Sequence, residues 1–391
     1  MLDIDRIKAE LAAQGPAPLH FRLRNAIQTQ ILDGTLNPKE ALPSERALEE
    51  QLGVSRTTIR QALRALAEAG LIKPIVGAGS FVLEQPTPRT TDLGRGATSE
   101  TGALVGVVVP DQYFYVYYAQ LASAINNRLR EAGYRVDMSL HNAQTENLAR
   151  IVDGLLEQGV VGVALCPTDD EAVLPILDRL RARGVSLVMI ARFWDYREAD
   201  YVGADNERIG YEATRHLIEL GHTGIVHLTY AYGSTARGRA GGYVRAMLEA
   251  GLAPRILMSG IGEHLGTLVD LGDYLAGDHE LGNLCSAVAR REVTAVFCFN
   301  DDMAGWIQKE LRKANLVVPR DVSLVGVDDL PYAEFFDAPL TTFALPGEEI
   351  GQRAAELLIR RLGGEQFVPQ RIRVPARFVQ RFSSAPPPTG P

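Results

Sequence analysis

The sequence predicts an α/β protein in two parts, an N-terminal winged helix-turn-helix followed by a two-lobed body with parallel sheets. Three observations lead there. Two short helical patterns flank a glycine-containing turn at residue 53. Seven apolar runs alternate with amphipathic stretches beyond residue 102. Between them, residues 84–102 (EQPTPRTTDLGRGATSETG) lack apolar periodicity and are rich in Thr, Pro and Gly, which reads as a linker.

Taken in order, residues 18–34 place Leu19, Leu23, Ile27 and Ile31 on one helical stripe that ends at Gly34. Pro43-Ser44 opens a second helix with Ala47, Leu48 and Leu52 inward, and Gly53 breaks it. The segment GVSRTTIRQALRALAEAGLI (53–72) then starts a third helix, N-capped by Ser55 and ended near Gly70. Arg56, Arg60 and Arg64 share one face of it, while Ile59, Leu63 and Leu66 share the other. LIKPI and SFVL around Val76-Gly77-Ala78-Gly79 read as a hairpin, the wing. The head therefore spans 1–83 with its core at 18–83.

The body, 103–382, reads as strands ALVGVVV (103–109), YRVDMSL (134–140), VGVALC (161–166), VSLVMIA (185–191), GIVHLTY (224–230), TAVFCF (294–299) and VSLVGVD (322–328). Helical stretches such as QLASAINNRLREAG and ERIGYEATRHLIELG separate most of them. Some 280 residues exceed one doubly wound unit, so two lobes with a cleft between them are expected. Ligands in such sheets bind beyond the carboxyl ends of strands, where polar residues collect here. SSAPPPTGP (383–391) reads as a disordered tail.

The chain of 391 residues carries 46% apolar and 23% charged residues, enough to build two or three soluble domains. It shows no secretory apolar region and no apolar run of about 18 residues, so a cytoplasmic protein without membrane contact is expected. Cys166, Cys285 and Cys298 lack CxxC spacing and read as buried free thiols. Net charge is −8, but residues 1–83 hold 10 Lys/Arg against 9 Asp/Glu, so the head is +1. A groove-reading helix needs only a local basic cluster, and overall acidity does not exclude DNA.

Residues 18–83 resemble the DNA-binding head of GntR-family repressors, through LPSERALEEQLGVSRTTIRQAL and the wing GAGSFV. Residues 103–382 resemble the effector-binding, periplasmic-binding-protein-like body of LacI-family regulators. That likeness rests on DNERIGYEATRHLIELGH, STARGRAGGY, FNDDMAGW, DVSLVGVDDLP and LTTF. The combination resembles the bacterial arabinose-repressor architecture. It implies that Arg46, Ser55, Arg56, Thr57 and Arg60 face DNA, with the wing tip at Gly77. The physical chemistry agrees: the first turn of the third helix can enter the major groove and set Arg56 or Arg60 on guanine O6/N7. The Ser55 and Thr57 hydroxyls suit phosphate oxygens, and Arg46 can hold the backbone. The wing departs from the family, because Pro74, Ile75, Val76 and Ala78 replace basic or polar residues and only Lys73 is charged. Wing contacts should be weak and the salt dependence shallow.

In LacI-like bodies an arginine and an aspartate grip ligand hydroxyls, and the matching motifs give Arg239 in ARGRAGGY and Asp328 in VGVDD. Asn300 follows another strand, as Arg192 follows VSLVMIA. A carboxylate opposite a planar guanidinium suits a sugar or polyol. The other reading of Arg239 and Asp328 is an ion pair that only stabilises the fold, and of Arg192 a surface cap. In DQYFYVYYAQ, Tyr113, Phe114 and Tyr115 follow the first strand and either stack on a sugar face or begin the next helix in the core.

Other chemistries fit less well. GSTARGRA has phosphate-loop glycine spacing, but Arg239-Ala240 replace the Lys-Ser/Thr pair. The seven histidines form no HExxH motif, so no metal is expected. A pyridoxal-phosphate aminotransferase-like body needs a Schiff-base lysine. Beyond residue 100 only Lys309 and Lys313 occur, both on a surface helix, so no cofactor is expected. A transport-type sugar-binding protein would leave the head unexplained. The expectation is a homodimeric, ligand-controlled transcription factor, first of all a repressor, on a palindromic operator.

Overall fold

The computed structural model describes residues 2–12, 19–32, 35–36, 40–68, 72–75, 79–82, 102–110, 116–194, 199–230, 233–259 and 279–388. The head and the body fall into separate units.

The head contains α1 (Ile4–Ala12), α2 (Leu19–Leu32), α3 (Glu45–Leu52), α4 (Arg56–Glu68) and the antiparallel hairpin β1 (Ile72–Ile75) and β2 (Gly79–Val82). Leu23, Ile27 and Ile31 of the expected stripe are buried, whereas Leu19, the first residue of α2, is 39% exposed. α1 was not expected from the sequence. Its Ile7, with Leu2, enters the head core. Gln30 is fully buried on α2 because both ends of its amide are used: it accepts from Asp3 N–H (2.7 Å) and donates to Asp3 O (2.9 Å). Residues 40–42 run beside the hairpin, with Leu42 N–H on Ser80 O and Val82 N–H on Glu40 O.

Two wholly parallel sheets form the lobes of the body. The first has the order β13-β7-β6-β5-β3-β4. It comprises β3 (Leu104–Pro110), β4 (Arg135–His141), β5 (Gly162–Leu165), β6 (Ser186–Ile190), β7 (Asp200–Ala204) and β13 (Arg371–Val374). Val105, Val107 and Val109 of β3 pack with α5 (Val116–Glu131) and α12 (Gly347–Leu362). Leu104 and Val108 pack with α6 (Thr145–Glu157) and α7 (Leu174–Ala182) on the other face. Burial on both faces is why these strands read as continuous apolar runs.

The second sheet has the order β11-β10-β8-β9, from β8 (Ile225–Tyr230), β9 (Ile256–Ser259), β10 (Ala295–Cys298) and β11 (Ser323–Val325). α8 (Asn206–Glu219) and α9 (Ser234–Glu249) pack closely on each other and cover one face. α10 (His279–Ala289) and α11 (Asp301–Lys313) complete the lobe. The chain crosses between lobes three times: from β7 into α8, from β12 (Thr342–Ala344) into α12, and from β13 into β14 (Arg377–Val379). β12 and β14 pair antiparallel at these crossings.

All seven expected strands are present. β7, β9 and β12–β14 were not expected, being short and, in RIRV and RFV, interrupted by arginine. Cys166 and Cys298 are buried free thiols, while Cys285 is only half-buried. No helix among the described residues is long and apolar enough to cross a membrane.

The expectation of a disordered tail is corrected for residues 383–388. Ser383 is fully buried; its Oγ donates to Leu324 O (2.7 Å) and accepts from Thr341 N–H (2.8 Å). Ala385 exchanges two bonds with Ser323 Oγ, and its carbonyl meets His222 Nε2 at 2.8 Å. The Ser and Ala residues suit this role because their small side chains let the backbone add to the edge beyond β11. Ser383→Ala would strand a buried amide and weaken the satisfaction of a buried carbonyl, a loss of about 2 kcal/mol. Urea unfolding of the body should show it as a lower midpoint with unchanged slope.

Candidate functional site

Two places gather functional side chains. In the head, Ser44 Oγ accepts Ala47 N–H (3.1 Å) to start α3, and Gly53, in the left-handed region, ends it. Ser55 Oγ accepts Thr58 N–H (3.3 Å), starting α4 as expected. Leu48, Val54, Ile59, Ala62, Leu63 and Leu66 are buried, which turns Ser55, Arg56, Thr57 and Arg60 to solvent. Arg46 is exposed on α3. Gly77 lies outside the described residues.

The sequence reading missed what these arginines touch. Arg56 Nε meets Glu49 Oε2 at 2.6 Å, and Arg60 Nη2 meets Glu45 Oε2 at 3.0 Å, both bridging α4 to α3. Arg46 pairs with Glu50 on its own helix at 3.1 Å. Glu45 and Glu49 sit four apart on α3, a spacing that presents both to the neighbouring helix. All three pairs are exposed, so they hold the side chains in place weakly and can be exchanged for phosphate or base.

In the body, the site lies at the carboxyl ends of both sheets. Gly210 on α8 and Gly242 on α9 let these helices approach: a Cβ on Gly210 would lie 2.0 Å from Arg239 O, and one on Gly242 1.9 Å from Glu207 O. That approach buries Arg239 to 3% exposure. Its Nε donates to Asn206 Oδ1 (3.0 Å), its Nη1 donates to Phe299 O, and its guanidinium stacks 4.6 Å over the Phe299 ring. Burial lowers the Arg239 pKa, opposed by the nearby Asp328.

Asp328 follows β11 with φ +122, held by its N–H on Phe343 O (2.9 Å). Burial pushes its carboxyl well above the ordinary carboxylate range, opposed by Arg239 and assisted by Asp301 and Asp302. Among the described residues, Arg239 and Asp328 do not close an ion pair with each other. They attract each other on one lobe, with Arg239 Nη2 and the Asp328 carboxyl still able to take hydroxyls. Asn300 caps α11, its Oδ1 accepting Met303 N–H (3.0 Å), which leaves its amide nitrogen as the group available to a ligand.

On the opposite lobe, Arg192 Nη1 pairs with Asp169 Oδ2 at 3.2 Å and is 22% exposed. Its charge reaches His141, Cys166 and Tyr118. His141 is fully buried and donates Nε2–H to Cys166 O (3.0 Å) while Nδ1 accepts Ala143 N–H. Burial, then Arg192, lowers its pKa to about 4, so it is neutral. Tyr113, Phe114 and Tyr115 lie outside the described residues. Tyr117 and Tyr118, the last aromatics of the same run, begin α5 with rings 5.0 Å apart. Both interact electrostatically with Arg239, and Tyr117 with Asp328. These two tyrosines were missed because they belong equally to the helical stripe.

Asp301 is fully buried and holds the loop after β11, accepting Leu330 N–H (2.9 Å) and Thr342 Oγ–H (2.5 Å). Asp302 accepts from the Tyr332 hydroxyl. The pair marks the strand-to-helix junction between β10 and α11, and both carboxyls are spent on holding neighbouring loops.

A helix-turn-helix head and a two-lobed body with polar groups gathered at the carboxyl ends of its sheets fit a ligand-responsive transcription regulator, and the comparisons agree. Residues 21–82 match the model of bacterial regulatory proteins of the gntR family, and residues 214–384 the periplasmic binding protein-like domain. The chain is 30% identical to the HTH-type transcriptional repressor PurR of Vibrio campbellii over 84% of its length and 95% of that protein. It is 28% identical to the arabinose metabolism transcriptional repressor of Geobacillus stearothermophilus, over 88% of its length and 91% of that protein. A LacI family transcriptional regulator from Mycobacterium smegmatis superposes with a TM-score of 0.59 at 25% identity, covering 72% of this chain and 99% of that one. The chain belongs to the bacterial transcription regulators that join a gntR-family head to a periplasmic-binding-protein-like, LacI-type body. It is a regulator and not an enzyme, and the aminotransferase-like and transport readings fall away.

Asp302 sets a pH dependence. Burial raises its pKa from 3.8 to about 6, opposed by the Tyr332 hydrogen bond. The folded state thus binds this proton more tightly than the unfolded chain. Its contribution favours folding below 3.8 and is lost as pH rises through about 6. Relative to wild type, Asp302→Asn should therefore gain stability as pH rises from about 4 to 6; parallel urea-unfolding profiles would refute the assignment.

Proposed function

We propose that the protein is a cytoplasmic, homodimeric repressor that reads a palindromic operator and answers to a neutral sugar or polyol. The observation that supports the effector class most directly is Arg239 beside Asp328 on one lobe, electrostatically coupled but without an ion pair between them. A planar donor opposite a carboxyl that can accept or donate matches vicinal hydroxyls. Arg192, Asn300 and the tyrosines of α5 add donors and an apolar ring face. A relative named for arabinose metabolism is in keeping with this.

On DNA, Arg56 and Arg60 read base edges, Ser55 and Thr57 hold phosphate, and Arg46 and the wing tip at Gly77 steady the backbone. Two-fold pairing of bodies presents two heads to two half-sites. Phe335 and Phe382, 79% and 75% exposed, support a second copy as partner. Their segments are both bonded to the 339–340 stretch, which places two large apolar side chains on one lobe.

Fluorescence anisotropy on a labelled fragment of the gene's own upstream region tests the reading, at fixed salt, with and without pentoses, hexoses and polyols. Tight binding weakened by one sugar is expected; binding no tighter than to random DNA would overturn it. Arg60→Ala should weaken operator binding roughly 10-fold or more while sparing effector binding, and Asp328→Ala should do the reverse. Glu45→Gln should tighten operator binding and steepen its salt dependence, because Arg60 loses its competing carboxylate.

A further inference from the structure

The ends of β5 and β6 meet the start of α9 across the cleft. Phe193 N–H donates to Ser234 Oγ at 3.0 Å. The Asp169 carboxylate lies against Gly233: a Cβ built there would sit 2.6 Å from Oδ1 and 2.7 Å from Cγ. Gly233 has φ +92 and provides no side-chain cap, so glycine is required both for space and for backbone. Asp169 is itself held by Arg192, and its loop is fixed from several sides. Thr168 Oγ1 bonds Thr145 Oγ1 (2.9 Å), Trp194 Nε1–H donates to Thr168 O (2.8 Å), and His141 holds Cys166 O.

A guanidinium beside the positive end of a sixteen-residue helix is where an anionic effector group would be drawn. We propose that Asp169 is a specificity-determining residue whose carboxylate fills this position from the opposite lobe, closing the cleft and excluding phosphorylated or carboxylated effectors. The inference rests on the cleft being the effector site and narrows its ligands to neutral ones. An incoming phosphate would have to break the Asp169–Arg192 pair and then sit beside the displaced carboxylate. Elsewhere the site sets Arg239 beside the Asp328 carboxyl, so its positive charge is already opposed.

The test uses full-length protein and inorganic phosphate as the probe, with chloride at matched ionic strength as reference. Thermal unfolding of the body is followed for wild type, Asp169→Ala, Gly233→Ala and the double variant Asp169→Ala/Arg192→Ala. Phosphate at about 10 mM should leave wild type unmoved and raise the Asp169→Ala midpoint by about 2–4 °C. Gly233→Ala, which pushes the carboxylate out, should respond in the same direction, and the double variant should not respond. A wild type stabilised by phosphate, or an Asp169→Ala protein that ignores it, overturns the proposal. A protein that ignores every sugar, yet gains phosphate binding on loss of Asp169, would sink the sugar reading and leave this one standing.

Discussion

The body depends on one buried guanidinium. Arg239 is almost wholly removed from water, and its partners come from two places: Asn206 at the first crossing, and Phe299 at the end of β10 through both its carbonyl and its ring. Asn206 is in turn tied to Ala204 O, so the crossing between lobes is part of the arginine's coordination. The glycine contacts between α8 and α9 exist to bring that side chain into place. A larger residue at Gly242 would separate the helices and move the guanidinium away from its partners.

Around this cation the cleft collects more carboxyls than it can neutralise. Asp301 and Asp302 are committed to holding the loop after β11 and the tyrosine above it, and burial keeps both harder to ionise than usual. Asp328 alone faces the cleft, in a backbone conformation that its position after β11 forces on it. Such a site stabilises hydroxyls, which share protons, more readily than anions, which would add charge. A ligand bridging the two lobes can bias them only through its different affinity for their arrangements, a coupling of about 1–3 kcal/mol on ordinary scales.

The head solves a different problem with similar means. Its net charge is nearly zero, yet the exposed surface of α3 and α4 carries Arg46, Arg56 and Arg60 and the hydroxyls of Ser55 and Thr57. Glu45 and Glu49 keep two of the arginines ordered in water, and exposed pairs of this kind can be exchanged when phosphate arrives. A head of nearly zero net charge carries less of the sequence-independent attraction to phosphate that a basic surface would have.

Much of this was legible in the sequence because it is local. The capping residues Ser44, Gly53 and Ser55 and the periodic apolar stripes located α2, α3 and α4; continuous apolar runs located the seven inner strands, whose burial on both faces leaves no polar alternation to misread. Motif residues such as Arg239 and Asp328 could be singled out, but not their relation. Whether they pair or stand apart is decided by how two helices and two sheets meet, which no spacing encodes. The same holds for Glu45 beside Arg60, for Asp169 against Gly233, and for Ser383, whose low-complexity surroundings read as disorder. Their contacts join residues 15, 64 and 59 positions apart. Local chemistry fixes what each segment prefers to be, whereas long-range packing decides which polar groups lose water together, and the site is made from those.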